Sequence, residues 1–295
     1  MLKYESVSEL VEAAEARRIA ISQLVLEDQA AALETSQLET FERMEIDLQV
    51  MVRSVAMGAK KDQRSMSGLT GGESWLMAEY MQKTAGGLSG SFLGGAMARA
   101  LAVAGCNASM GRIVAAPTAG SCGILPGCLV AMMEDRHVPE KDVVMAMFTA
   151  GAFGMVIANR ASIAGAQGGC QAECGSAAAM AAAALTELGG GTPAQCADAC
   201  AIAIASQMGL VCDPVAGLVE IPCIKRNVSG VMVAFSSADM ALAGIRSKIP
   251  ADECLDAMRE VGDALPASLK ETAGGGLAAT PTGRRLRDQV FGVEG

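Results

Sequence analysis

The stretch "GAQGGCQAECGSAAAMAAAALTELGG", residues 165–190, decides the fold. From Ser176 to Leu188 it is mostly alanine, with Met180, Leu185, Thr186 and Glu187 among the few other residues. Alanine is the strongest helix former, and a helix with almost no polar face belongs inside a protein. The second half therefore reads as a buried helix. The first half is glycine-rich and nearly uncharged, and it holds Cys170 and Cys174. Glycine costs backbone entropy, so such a run marks a bend or a close approach.

Working outward, Pro193–Met208 reads as a second buried helix, with Thr192 as N-cap and Pro193 in the first helical position. Upstream, Ser6–Glu9 and Ser36–Glu39 fit capping boxes. Phe41, Met44, Leu48, Val52 and Val55 then recur at the spacing of an amphipathic helix. Of the 295 residues, 51% are hydrophobic but only 3% aromatic, so the core is built from small side chains that let helices approach closely. Period-two alternation is rare. The expected fold is mostly α: one globular domain over 1–295, of buried Ala/Gly-rich helices wrapped by amphipathic ones. Residues 1–57 form the amphipathic N-terminal segment and 58–295 the core. Gly-rich loops at Ser65–Ser74, Lys83–Gly95, Ala115–Gly127, Ala164–Ala178, Cys212–Cys223 and Glu271–Gly283 are expected to converge on a site.

A net charge of −9 and the absence of a basic patch argue against nucleic acid or an anionic lipid surface as partner. The N-terminus carries acids throughout and does not read as a signal peptide. Ile113–Met133 is long enough to span a membrane, but Pro117, Pro126 and several glycines interrupt it. Val143–Asn159 is short and rich in Ala and Gly. Both read as buried segments of a soluble, cytoplasmic protein, with no membrane contact. Ten cysteines without an export signal point to a reducing compartment and free thiols.

Most of those thiols read as packing. Cys196 and Cys200 share one face of an apolar helix, and Cys106, Cys122, Cys128 and Cys254 are isolated. No C-x-x-C occurs. Cys170, Cys212 and Cys223 differ: Cys170 follows Gly168-Gly169, Cys212 precedes Asp213-Pro214 and Cys223 follows Pro222, each in a turn-like loop. On spacing alone, packing and metal ligation both stay open for these three. The single histidine, His137, lies in the polar turn "EDRHVPEKD", so a Ser–His or Cys–His mechanism lacks its base within this chain. Lys83 and Lys225 are possible Schiff-base lysines, but no Gly-rich phosphate loop follows a strand, and pyridoxal phosphate is not expected.

Together, "SGLTGGE" (Ser67–Glu73), "PTAGSCGILPG" (Pro117–Gly127), the opening stretch, "CDPVAGLVEIPCIKRN" (Cys212–Asn227) and "ETAGGGLA" (Glu271–Ala278) resemble the α chain of bacterial iron–sulfur-dependent L-serine dehydratase. The resemblance covers residues 65–278. In that family three cluster cysteines are spaced 42 and 11 residues apart, as Cys170, Cys212 and Cys223 are here. The resemblance implies a [4Fe–4S] cluster on these three cysteines, one iron serving as Lewis acid toward the hydroxyl that leaves L-serine. It implies β-elimination to pyruvate and ammonia, without pyridoxal phosphate and without redox work by the cluster. Ser67, Gly68, Thr70, Gly71, Thr118, Ala119, Gly120 and Ser121 are then expected to bind the substrate. Lys225 and Arg226 read equally as charge compensation or as a solvated loop end. Cys174 reads as packing.

Single-chain relatives fuse a β domain to this α domain. The resemblance therefore implies a separate β chain that supplies the base and completes the site, with a higher oligomer left open. A related family acting on L-cysteine is the alternative, as is a non-catalytic cluster-binding subunit. Some relatives end in a cysteine that occupies the open iron. This chain ends "RDQVFGVEG", so that inhibitory tail is not expected.

Overall fold

The computed structural model of the chain describes residues 4–292. Residues 293–295, to which the expectation about a terminal cysteine refers, lie outside the described residues, as do 1–3. Among the described residues the chain forms α1 (Val7–Arg17), α2 (Ile21–Ala32), α3 (Gln37–Gly58), α4 (Glu73–Lys83), α5 (Gly90–Ala108), α6 (Ile124–Asp135), α7 (Glu140–Arg160), α8 (Gly165–Gly168), α9 (Ser176–Leu188), α10 (Pro193–Gln207), α11 (Cys223–Leu242), α12 (Ala251–Ala264) and α13 (Pro281–Phe291). No strand forms among them; one isolated parallel bridge pairs Cys212 with Lys270. The mostly α expectation holds.

The alanine run is α9, with the bounds its composition indicates, and every residue from Ser176 to Thr186 is buried. It packs against α7, α10 and α11, while α5 and α6 continue the core and α1, α2, α3 and α12 wrap it. The wrapping helices start where their caps say. Ser6 accepts from the Glu9 amide at 3.0 Å, and Ser36 from the Glu39 amide at 3.1 Å. The Glu9 carboxylate reaches back to the Glu5 amide, one residue before the cap. Thr192 and Gln195 close a full capping box, with Pro193 first in the helix.

Small residues let the helices touch. A Cβ on Gly58 of α3 would stand 1.7 Å from the Ala102 carbonyl oxygen of α5. One on Gly230 of α11 would stand 2.3 Å from Ile124 of α6. One helix, α7, is long and apolar enough to cross a membrane, and 67% of its most apolar window is buried inside the fold. It carries Phe148 and Phe153, the largest fully buried side chains.

Five of the six Gly-rich loops meet around the cysteine segments, as the contacts below establish. The loop at 83–95 instead joins α4 to α5, where Gly87 and Gly94 fit under Tyr80 and Met81.

Candidate metal centre

The Cys170 segment is fixed by glycine. Gly169 has φ 77° and ψ −179°, a conformation that residues with a side chain avoid. A Cβ there would also lie 2.7 Å from Leu265 and 3.0 Å from the Leu210 carbonyl. The chain then makes a π-helical turn, Gln171–Gly175, before α9. The fully buried Gln171 pins this turn: its amide donates to the Met258 carbonyl at 2.8 Å and accepts from the Gly209 N–H at 2.8 Å. The turn sets the Cys170 and Cys174 sulfurs 3.4 Å apart.

Cys212 lies in extended backbone. Its N–H donates to the Leu269 carbonyl and its carbonyl accepts from the Glu271 N–H, both at 2.9 Å. The "ETAGGGLA" segment thus holds Cys212 from one side. It also closes on Asp213, whose carboxylate accepts from the Leu277 N–H at 2.7 Å. Cys223 is the first residue of α11, directly after Pro222. The expectation of three turn-like cysteines therefore needs correction. Cys212 alone lies in a loop, Cys170 leads into a π turn, and Cys223 opens a helix. Pro222 ends the loop, and a thiolate at a helix N-terminus is favoured by the unpaired amides and the helix dipole.

The three thiols, with 3%, 3% and 8% of their residues' surfaces exposed, gather in one buried place. They are close enough for each to influence the ionisation of another. Burial, then Glu173 and Cys170, pushes the Cys212 thiol up. Burial, then Cys170 and Glu173, pushes Cys223 up to about 12. Cys170 goes the other way: the neighbouring Cys174 thiol and, secondarily, Arg226 hold it below the usual thiol range.

Glu173 stands among them. Its carboxylate accepts from the Thr118 hydroxyl at 2.8 Å and lies 3.9 Å from the Cys212 sulfur. Burial raises its pKa. A Cβ on Gly165 would stand 2.7 Å from this carboxylate and 2.9 Å from the Cys212 sulfur, so glycine is what lets both side chains pack there. Asn227, fully buried on α11, ties the neighbouring loop to the Cys223 segment. It accepts from the Gly123 N–H at 2.8 Å and donates to the Gly120 and Cys223 carbonyls, both at 2.9 Å. Sequence reasoning missed Glu173 and Asn227. For Glu173 a signal existed: it is the one charged residue between Arg160 and Glu187.

The two loops expected to bind substrate differ. Around Ser67, Gly68, Thr70 and Gly71 most amides are spent within the loop or next to it, while those of Ser67 and Gly71 make no hydrogen bond among the described residues. Gly68 donates to Ser65, Leu69 to the Ser67 hydroxyl, Thr70 to the Ser65 hydroxyl and Gly72 to Gln63. The Ser67 and Thr70 hydroxyls bond the buried Glu220 carboxylate at 2.6 and 3.2 Å. In the second loop, Thr118 and Ser121 share a hydrogen bond at 3.2 Å. The amides of Ala119, Gly120 and Ser121 make no hydrogen bond among the described residues. Lys225 is exposed, and His137 is exposed in the α6–α7 turn.

Among the described residues no three Cys, His, Asp or Glu side chains converge on a point that would hold one metal ion. The donor set is three soft thiols on three backbone segments, the ligand type that suits an iron–sulfur group rather than a single hard cation.

Residues 16–278 match the family described as "Serine dehydratase alpha chain". The chain is 47% identical to the probable L-serine dehydratase, alpha chain, of Bacillus subtilis, over 98% of this chain and 96% of that one. It is 44% identical to the L-serine dehydratase, alpha chain, of Peptoniphilus asaccharolyticus, over 95% of each. It is 43% identical to L-serine dehydratase 1 of Escherichia coli, but over 61% of this chain and only 40% of that longer protein.

Proposed function

The chain belongs to the serine dehydratase alpha chain family, and on that footing we propose that it is the α subunit of an L-serine ammonia-lyase, which converts L-serine to pyruvate and ammonia. The observation that carries this reading is the gathering of Cys170, Cys212 and Cys223, distant in sequence, into one buried set of interacting thiols. These three thiolates would hold a [4Fe–4S] cluster. When bound, the cluster supplies a Lewis-acidic iron, the one without a cysteine, for the departing hydroxyl.

The chain's own residues do the rest. The unpaired amides of Ala119, Gly120 and Ser121, with the Ser121 hydroxyl, receive the substrate carboxylate, as clustered backbone amides receive anions, while the Thr118 hydroxyl stays on Glu173. The Ser67–Gly71 loop is less suited to that task. The amides of Gly68, Leu69 and Thr70 are spent and its hydroxyls already hold Glu220, so it serves as a wall of the site. Glu173 and the buried Gln171 turn keep the Cys170 segment in place and limit water.

In the reaction the α-proton passes to a base, the bond from Cβ to the hydroxyl breaks, and water leaves. The resulting enamine tautomerises to an imine, and water hydrolyses it to pyruvate and ammonia. One water is lost and one regained. With His137 exposed in the α6–α7 turn, the base comes from a separate β chain. That arrangement agrees with the chain spanning only 40% of the longer E. coli relative. The assembly works in the cytoplasm.

The test is pyruvate formation from L-serine by the chain reconstituted anaerobically with iron, sulfide and its β chain. Turnover of L-serine well above L-cysteine is expected. A loaded complex that releases sulfide from L-cysteine and ignores L-serine would contradict the assignment.

A further inference from the structure

Arg226 binds the Cys212 segment from the Cys223 helix, and its charge acts on Cys170. It sits in the first turn of α11, three residues after Cys223. Its guanidinium donates to the Val211 carbonyl at 2.8 Å and pairs with the Asp213 carboxylate at 2.8 Å, so it grips the residues on either side of Cys212. Its positive charge also acts on the Cys170 thiol. Only 15% of the side chain is exposed, against 4% for Asp213. Asp213 in turn holds Leu277, which anchors the "ETAGGGLA" segment. One planar group with several donors in fixed directions thus joins a helix to an extended loop, with its charge acting on the thiol that leads into the π turn. Lysine, a single charge on a flexible stem, cannot make these contacts together.

We propose that Arg226 is the positioning residue of the thiol set. It fixes the mutual placement of the Cys170, Cys212 and Cys223 segments before iron arrives, and it remains beside the loaded group as counter-charge. Three thiolates and Glu173 put several negative charges in a poorly solvated space, where an unpaired charge is costly. Arg226 is the cation acting on both Cys170 and Cys223. The inference rests on the cluster reading above.

The experiment measures iron and acid-labile sulfide per chain, and the rate of iron loss to a chelator, in the anaerobic α–β complex. Wild type is compared with Arg226→Lys and Arg226→Gln, with the melting temperature of each cluster-free chain as control. Residues that orient metal ligands typically change metal affinity by about 10- to 100-fold. Both variants are expected to lose iron at least about tenfold faster than wild type while melting near it. Lysine, which keeps the charge, should recover only part of the retention. A purely structural role would lower the melting temperature and leave the loss rate unchanged, and loss rates equal to wild type overturn the proposal. Should both Arg226 variants fail to fold, Asp213→Asn tests the same point, since it releases the guanidinium without removing it. In a structure of the loaded wild-type complex, Arg226 turned away from the Cys170 sulfur would overturn the inference whatever the variants do. If wild type itself binds no iron, the cluster reading fails, and that result is distinct from a variant-specific loss.

Discussion

At the scale of single residues, the site depends on groups whose neighbours fix their chemistry. Gly169 is the sharpest backbone case. Its φ of 77° with ψ near 180° suits glycine alone, and its absent side chain makes room for Leu265 and the Leu210 carbonyl. Gly169→Ala should therefore cost about 1–3 kcal/mol from the backbone alone. Urea unfolding of the cluster-free chain would measure it. Asn227 is the corresponding side chain. Asn227→Ala strands the Gly123 N–H and the Gly120 carbonyl in the interior. At about 1–3 kcal/mol for each buried group left unpaired, the variant should be strongly destabilised. Asn227→Asp keeps the bond from Gly123 but loses both donors, so it should not restore stability. Both follow from the same unfolding curves.

At the scale of elements, the sequence was readable wherever the signal was local. Ser6, Ser36 and Thr192 start their helices because a hydroxyl three residues before a free amide is a short-range arrangement. The bounds of α9 follow from composition, since thirteen residues with little polar character can lie only inside. What stayed hidden was long-range. Nothing near Arg226 in sequence announces that it meets Asp213, and nothing near Glu173 announces Thr118. Asn227 looks like an ordinary polar residue in a helix until Gly120 and Gly123 arrive from another segment. The π turn was likewise illegible, because a five-residue widening of a helix depends on the Gln171 contacts that pin it. Turn-like composition also suggested a loop at Cys223 where Pro222 in fact begins a twenty-residue helix.

Two glycines test the packing of elements. Gly58→Ala gains helix propensity of roughly 1 kcal/mol. Yet its Cβ would lie 1.7 Å from the Ala102 carbonyl oxygen, which belongs to backbone and cannot swing aside. The net effect should be a lower melting temperature, read by circular dichroism. Gly165→Ala acts on the site instead. Its Cβ would press on Glu173 and the Cys212 sulfur. Iron content after anaerobic reconstitution should fall more than stability does.

At the scale of the whole molecule, ten free thiols are buried in a chain whose core is made of small side chains. Burial pushes several of them up. Cys122 moves from the usual 9.0 to about 12, and Cys128, Cys196 and Cys200 also rise, burial being the largest cause in each. The unfolded chain then releases thiol protons above pH 9 while the native chain keeps them. The unfolded state binds fewer protons, so stability falls as pH rises. Between pH 9 and about 12 Cys122 alone should remove about 1.4 kcal/mol per pH unit. Urea midpoints of the cluster-free chain, kept reduced, should decline steadily above pH 9. A flat profile there would contradict the burial of these thiols.

The same molecule-wide view makes the three gathered cysteines the centre of the account, because helices and loops from across the chain exist in the arrangement that brings them together. Anaerobic iron and acid-labile sulfide analysis of Cys170→Ala, Cys212→Ala, Cys223→Ala and Cys174→Ala tests this most directly. The account predicts that the first three each abolish stoichiometric iron and sulfide while Cys174→Ala retains them. Retention of a full complement in any of the first three, or its loss in Cys174→Ala alone, would contradict it.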